Sequence, residues 1–266
     1  MSRDLRGKRV ILTGASGGIG RATAVALVRA GARVVLAARS GEALAELSDS
    51  LSKIGGVVTA ISADVTRPDD RQRLVDGTVQ AFGGLDLLIN NAGIGSWGHF
   101  STSSEAILRQ VMEVNFFAPV ELTRLAVPQL MLGSSPAVVN VTSMCGRKGM
   151  PAWPEYSASK FALLGMSEAW RGELVRFNID VITIVPGLTD SGFQNRWLRH
   201  DGKAALKFAE GMKPETVAAG IVHAIEKNRT EVVLGREARR LLAFNRFFPR
   251  LTNWLIARKV KQMYTT

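Results

Sequence analysis

Tyr156 and Lys160 are the residues of this chain whose types and spacing most directly suggest chemistry. On a helix, positions i and i+4 share one face, so a phenol and an ammonium would stand one turn apart. An ordinary tyrosine, with a pKa of ~10, exchanges its proton poorly near neutrality. A lysine ammonium beside it would favour the phenolate and bring that value down. Such a pair alone is common on helix surfaces. Ser143 singles this one out: it stands thirteen residues earlier, just past a predicted strand. There its hydroxyl can hydrogen-bond a substrate oxygen and steady its developing charge.

A second constellation is Thr13-Gly14-Ala15-Ser16-Gly17-Gly18-Ile19-Gly20, between a predicted strand and a predicted helix. Glycines let the backbone approach a pyrophosphate, and free N–H groups at a helix start attract its charge. The spacing Gly14-x-x-x-Gly18-x-Gly20 differs from the common Gly-x-Gly-x-x-Gly fingerprint but serves the same physics.

Short runs rich in Val, Ile and Leu position these residues: 9–13, 33–37, 57–61, 85–90, 137–141, 179–185 and 231–234 read as strands. Runs apolar at nearly every residue suit parallel strands buried on both faces. Between them 19–30, 42–54, 68–82, 104–131 (as one helix or more) and 156–177 read as helices. Repeated strand–helix–strand units imply a Rossmann-type, doubly wound parallel α/β sheet of about seven strands. One catalytic domain is expected over 1–235 with a helical extension over 236–266. Residues 187–213 show no clear strand and follow a strand end, so they are expected to form a substrate lid.

The glycine turn, then Asn90-Asn91-Ala92-Gly93, Ser143, Tyr156-Ser157-Ala158-Ser159-Lys160 and Pro186-Gly187 occur in this order over roughly residues 7–235. The set resembles the short-chain dehydrogenase/reductase family. The resemblance implies hydride transfer between a nicotinamide and a carbonyl or alcohol carbon, with Tyr156 exchanging the proton and Lys160 also holding the nicotinamide ribose. It implies that Gly14, Ser16, Gly18, Ile19 and Gly20 face the pyrophosphate, that Asp64 and Val65 flank the adenine, and that Asn91, Ala92 and Gly93 run along the cofactor. Asp64 also reads as a helix cap ahead of Pro68. Asn115 matches the family asparagine that holds a relay water; an amide bonding its own helix is the other reading. After Pro186 and Gly187, either Thr189 or Ser191 is expected near the nicotinamide carboxamide. An NAD site normally carries a carboxylate after strand two. Here no Asp or Glu occurs between the end of strand two and Glu42, while Arg39, with Ser40 beside it, suits a 2′-phosphate, so NADP(H) is expected over NAD(H).

Composition narrows the classes. The one cysteine, Cys145, excludes an intrachain disulfide; with no histidine near it in sequence, it reads as a small buried thiol rather than a nucleophile. His99, His200 and His223 have no metal-ligand spacing, so no metal is expected. No signal-peptide pattern and no apolar run of membrane-spanning length occur, which suggests the cytoplasm. Of the net charge of +11, seven charges come from residue 236 onward, where eight Lys/Arg face one acid. Leu241, Phe244, Phe248, Leu251 and Leu255 trace a helical stripe there. The stripe could pack on the domain or on a second copy in a homodimer or higher oligomer. It could also lie peripherally on an anionic membrane at the cytoplasmic face, as the resemblance to membrane-associated, lipid-handling family members would have it. No nucleic-acid reading motif accompanies the charge. The expected activity is reduction or oxidation of a ketone or secondary alcohol, a lipophilic one by the lid's aromatics. Epimerisation or dehydration on the same fold, or non-catalytic NADP(H) sensing, are the alternatives.

Overall fold

The computed structural model of the chain describes residues 2–202 and 208–264, with side chains to residue 262. Residues 203–207 of the expected lid and 265–266 of the extension lie outside them. The first half runs β1 (Arg9–Thr13), α1 (Gly18–Arg29), β2 (Arg33–Ala38), α2 (Gly41–Ser52), β3 (Val57–Ser62), α3 (Pro68–Phe82). Then come β4 (Leu87–Asn90), β5 (Gly95–Trp97), α4 (Glu105–Met112), α5 (Ala118–Met131), β6 (Ala137–Val141) and α6 (Pro154–Leu174). β7 (Asp180–Pro186), β8 (Trp197–His200), α7 (Pro214–Glu226), β9 (Glu231–Leu234), α8 (Arg236–Phe247) and α9 (Pro249–Tyr264) complete the chain.

Seven strands form one parallel Rossmann-type sheet in the order β3-β2-β1-β4-β6-β7-β9. Alternate residues of the central strands feed two cores. Val10, Leu12, Leu36 and Ile89 pack with Leu27 of α1 and Ile221 of α7. Ile11, Val35, Leu88 and Val138 pack with Leu74 of α3 and Leu122 of α5 on the opposite face. This double burial is why these strands read as unbroken apolar runs. β3 departs from that expectation: it is an edge strand with Val57 exposed. The order reverses direction between β1 and β4, so the carboxyl ends of these strands open a crevice there.

Three other departures are local. The expected helix over 104–131 is two, because a π-helical turn, Glu113–Phe117, separates α4 from α5. Such turns recur at functional sites, and this one carries Asn115. The lid contains a strand after all: β8 pairs in parallel with β5, a hundred residues earlier. Its residues, Trp-Leu-Arg-His, show no strand pattern of their own. The C-terminal stripe is not continuous, because α8 ends before Phe248 and Pro249 opens α9. Proline lacks the N–H that a continuing helix would need.

Candidate active site

The crevice is a groove of about 1160 Å³, bordered by the β1–α1 turn, the ends of β2 and β3, the loop after β4, and α4. The turn is shaped by close approach. Gly14 has φ +66°, and a Cβ on it would meet the Cα of Ala92 at 2.9 Å. A Cβ on Gly20 would lie 2.0 Å from the Gly14 carbonyl oxygen. No side chain caps α1, and its first turn holds no acid, so its backbone N–H groups face the groove with a positive dipole end. A dinucleotide phosphate fits this cradle.

Neighbouring strands hold the turn in place. Thr13 Oγ1 accepts hydrogen bonds from the backbone N–H groups of Asn91 and Ala92, both at 3.0 Å. The Asn91 side chain donates to the carbonyls of Thr13 at 2.9 Å and Gly14 at 3.3 Å. Its amide is therefore spent on shaping the turn, while Ala92 and Gly93 line the groove. Asn90 is buried beneath, donating to Asn140 Oδ1 at 2.9 Å and stitching β4 to β6. Ser16, Arg39, Ser40, Asp64 and Val65 also line the groove. Ser40 Oγ accepts from the Ala43 N–H as the cap of α2, which leaves its own hydrogen free to donate. Asp64 does not cap α3, whose N-cap is Arg67. Its Oδ1 instead accepts from the Thr66 N–H and hydroxyl at 3.0 and 2.8 Å, fixing the loop after β3.

Two positions left open by the sequence separate here. Thr189 is buried and donates its hydroxyl to the Gly187 carbonyl at 3.0 Å. Ser191 instead lies against the glycine turn: a Cβ on Gly18 would meet its carbonyl oxygen at 2.6 Å. Gly187 packs under α8, where a Cβ would approach Ala238 to 2.9 Å, and Pro186 pairs with Leu234 in the sheet. Ile19 leans on the core beside α1.

The proposed chemical residues lie beyond the groove. Ser143 follows β6, Tyr156 lies near the start of α6, and Lys160 stands one turn later on that helix. Tyr156 and Lys160 are both buried, and the Lys160 Nζ donates to the Val141 carbonyl at 3.0 Å. Burial pushes the Tyr156 phenol well above its ordinary range; the nearby Cys145 adds to this, and a hydrogen bond with Ser143 opposes it. No lowering by Lys160 is among these causes. Its amine is itself desolvated, which brings its pKa down to about 8, and it is turned to the β6 backbone. Burial likewise pushes the Cys145 thiol up to about 11, against hydrogen bonds with Ser143 and Ser157. It is a neutral thiol packed beside the trio.

Asn115 is completely buried and bonds a different segment, not its own helix. Its Oδ1 accepts from the Ile94 N–H at 2.9 Å, and its amide donates to the Ile94 carbonyl at 2.9 Å and Ser159 Oγ at 3.0 Å. Both amide hydrogens are thus engaged, bracing the loop after β4 against α6. A relay water would find no free donor on this side chain.

An aromatic wall covers Tyr156. Its ring lies 5.4 Å from that of Trp153 and 5.6 Å from that of Phe193. Trp197 of β8 stands 5.0 Å from Trp153 and 5.4 Å from Trp97 of β5. The sequence marked the lid's aromatics. That they join Trp97 and Trp153 into one surface follows from the β5–β8 pairing. Several groove residues escaped sequence reasoning, among them Leu108, Arg109 and Met112 of α4, and Arg196 from the lid. No local signal separates Arg196 from other surface arginines.

A turn shaped to take a dinucleotide phosphate and a Ser–Tyr–Lys set with its tyrosine and lysine buried, on a seven-stranded parallel sheet, define a nicotinamide-dependent oxidoreductase. The chain belongs to the short-chain dehydrogenase family, whose model matches residues 8–202. It is 33% identical over 96% of its length to an uncharacterized oxidoreductase, YxnA, of Bacillus subtilis, covering 72% of that protein. The ketoacyl reductase HetN of a Nostoc strain is 36% identical over 87% of the chain and 80% of its own length. A short-chain dehydrogenase/reductase from Burkholderia phymatum, solved with NAD, superposes with a TM-score of 0.85 at 25% identity, covering 94% of this chain and 96% of that one.

Proposed function

We propose that this oxidoreductase uses NADP(H) to reduce a lipophilic ketone, or to oxidise the corresponding secondary alcohol, with Tyr156 as the proton-transferring group. The observation that carries the reading is Tyr156 itself, buried under the aromatic wall beside Trp153 and Phe193. The bound dinucleotide supplies or accepts the hydride at its nicotinamide ring. Ser143 hydrogen-bonds the substrate oxygen, and Tyr156 Oη gives that oxygen its proton. The protonated phenol is the form that carbonyl reduction needs. Trp153, Trp197 and Phe193 exclude water and offer apolar surface to the rest of the substrate. A panel of ketones and aldehydes of graded hydrophobicity, followed by NADPH absorbance, tests this. Turnover confined to small polar carbonyls would refute the lipophilic assignment.

Selectivity for NADP(H) is supported by Arg39 and by the absence of an acid between β2 and Glu42. Arg39→Ala is expected to weaken NADPH binding by about tenfold, the loss of one charge-assisted contact, while leaving NADH within about twofold. Titration by fluorescence reads both constants, and equal weakening would remove the 2′-phosphate role.

We also propose that the C-terminal helices rest on an anionic lipid surface. Among the described residues no helix is long and apolar enough to cross a membrane. Asn253, Ile256, Ala257 and Val260 of α9 face the loop at 148–151, and Lys148 hydrogen-bonds Asn253 across the intervening cleft. Outside that cleft Phe247, Phe248, Leu251, Trp254 and Leu255 are all exposed, among Arg246, Arg250, Arg258 and Lys259. Apolar side chains framed by cations complement an anionic bilayer interface. The chain is expected to float with vesicles containing phosphatidylserine and not with neutral ones, and Leu251→Glu/Trp254→Glu should abolish this. A dimer in solution broken by the same substitutions, without flotation, would assign the face to a second copy instead.

A further inference from the structure

The cofactor groove holds a cation contributed by the lid. Arg196 ends the short turn Phe193–Arg196 that leads into β8. Its guanidinium reaches back over the β1–α1 turn, where a Cβ on Gly17 would lie 2.9 Å from its terminal nitrogen. Arg196 lines the groove together with Ser16, Arg39 and Ser40.

This is a poor place for a cation unless an anion joins it. Arg196 is largely withdrawn from water and makes no salt bridge among the described residues. Its charged neighbour is Arg39, and burial followed by Arg39 lowers its pKa. Below it lies the uncapped start of α1, with no acid in the first turn. Desolvation, a like charge and a helix dipole all disfavour the guanidinium. A phosphate between the two arginines would reverse all three, since each guanidinium fork can take phosphate oxygens.

We propose that Arg196 and Arg39 clasp the 2′-phosphate of the dinucleotide from two sides, so that the lid carries part of the NADP(H) selectivity and closes on that phosphate. The proposal rests on the NADP(H) reading above and adds the lid to it. Because β8 follows directly and carries Trp197 into the aromatic wall, phosphate recognition is tied to the assembly of the substrate pocket. NADPH, unlike NADH, would order the lid before the substrate arrives.

The test combines binding and exchange on the full-length protein. In Arg196→Ala, calorimetry should show NADPH binding weakened by about tenfold and NADH changed by less than about twofold. Retained NADH binding also shows that the variant is folded. Adenosine 2′,5′-bisphosphate should lose affinity as NADPH does, and ADP should not. Amide hydrogen exchange over residues 193–200 should slow more with NADPH than with NADH in the wild type, and equally with both in the variant. Equal weakening of NADPH and NADH would move Arg196 to the pyrophosphate and overturn the proposal; so would no change with either. If the wild type prefers NADPH and loses that preference in Arg39→Ala but not in Arg196→Ala, the lid's part alone fails. If the wild type binds NADH as tightly as NADPH, the NADP(H) reading fails with it.

Discussion

Tyr156→Phe is expected to lower kcat by about a thousandfold while leaving the Kd for NADPH unchanged, the range expected for removing a general acid. The substitution deletes one oxygen and keeps the ring. The contacts to Trp153 at 5.4 Å and Phe193 at 5.6 Å therefore survive, and the pocket keeps its shape. The variant removes one buried hydroxyl and leaves Ser143 Oγ accepting from the Cys145 N–H at 3.2 Å. Folding should therefore be unaffected. What is lost is the proton for the substrate oxygen, a deficit felt in the transition state and not in cofactor binding. Stopped-flow measurement of NADPH oxidation in single turnover, beside a fluorescence titration, separates the two. Turnover retained in this variant would mean that the proton comes from elsewhere.

The largest effect on stability is expected at a residue far from the chemistry. Asp86 is buried just ahead of β4, and its carboxylate accepts from the Arg9 side chain at 2.9 and 2.8 Å. It also accepts from the backbone N–H groups of Arg9 at 2.9 Å and Ser134 at 2.7 Å. One carboxylate thus ties together β1, β4 and the approach to β6. Asp86→Ala is expected to cost about 3–5 kcal/mol, because it strands a partly buried guanidinium and two backbone donors. The shift of the urea unfolding midpoint measures it; a loss below about 1 kcal/mol would show that water replaces the carboxylate freely.

The pH dependence has a definite sign. Burial opposes ionisation of Asp86, but the Arg9 side chain and the two backbone donors outweigh it and hold the carboxyl below its usual range. The native state then binds fewer protons than the unfolded chain in acid. This contribution is complete above the unfolded value of about 4 and is lost as pH falls through the lower folded value. The stability gap between wild type and Asp86→Ala should therefore narrow on acidification and hold steady from pH 5 upward, within the approximate range set by those values.

Much of the site was legible from local pattern. Turn chemistry and burial period act over a few residues, so the glycine turn, the seven sheet strands and the Ser143, Tyr156 and Lys160 positions could be read in order. The π-helical turn at Glu113–Phe117 could not, because the bonds that hold Asn115 come from Ile94 and Ser159. The surroundings of the Tyr156 phenol were out of reach for a related reason. Spacing reveals that a lysine is one turn away, but not that the pair is dry and that the amine bonds Val141.

By itself the sequence determined the class of fold, the order of the seven sheet strands and of the helices between them as far as α6, the glycine turn after β1, and the spacing of Ser143, Tyr156 and Lys160. These depend on periodicity, on glycine at positions no other residue could fill, and on spacing within single elements. Only the tertiary structure decided that β8 joins β5, that the aromatics form one wall over Tyr156, that Arg196 enters the cofactor groove, and that α9 turns one face to the body and the other outward. Each of these pairs segments distant in sequence. Which side chains meet, and how far they are withdrawn from water, is a property of the packed whole that neighbouring residues do not encode.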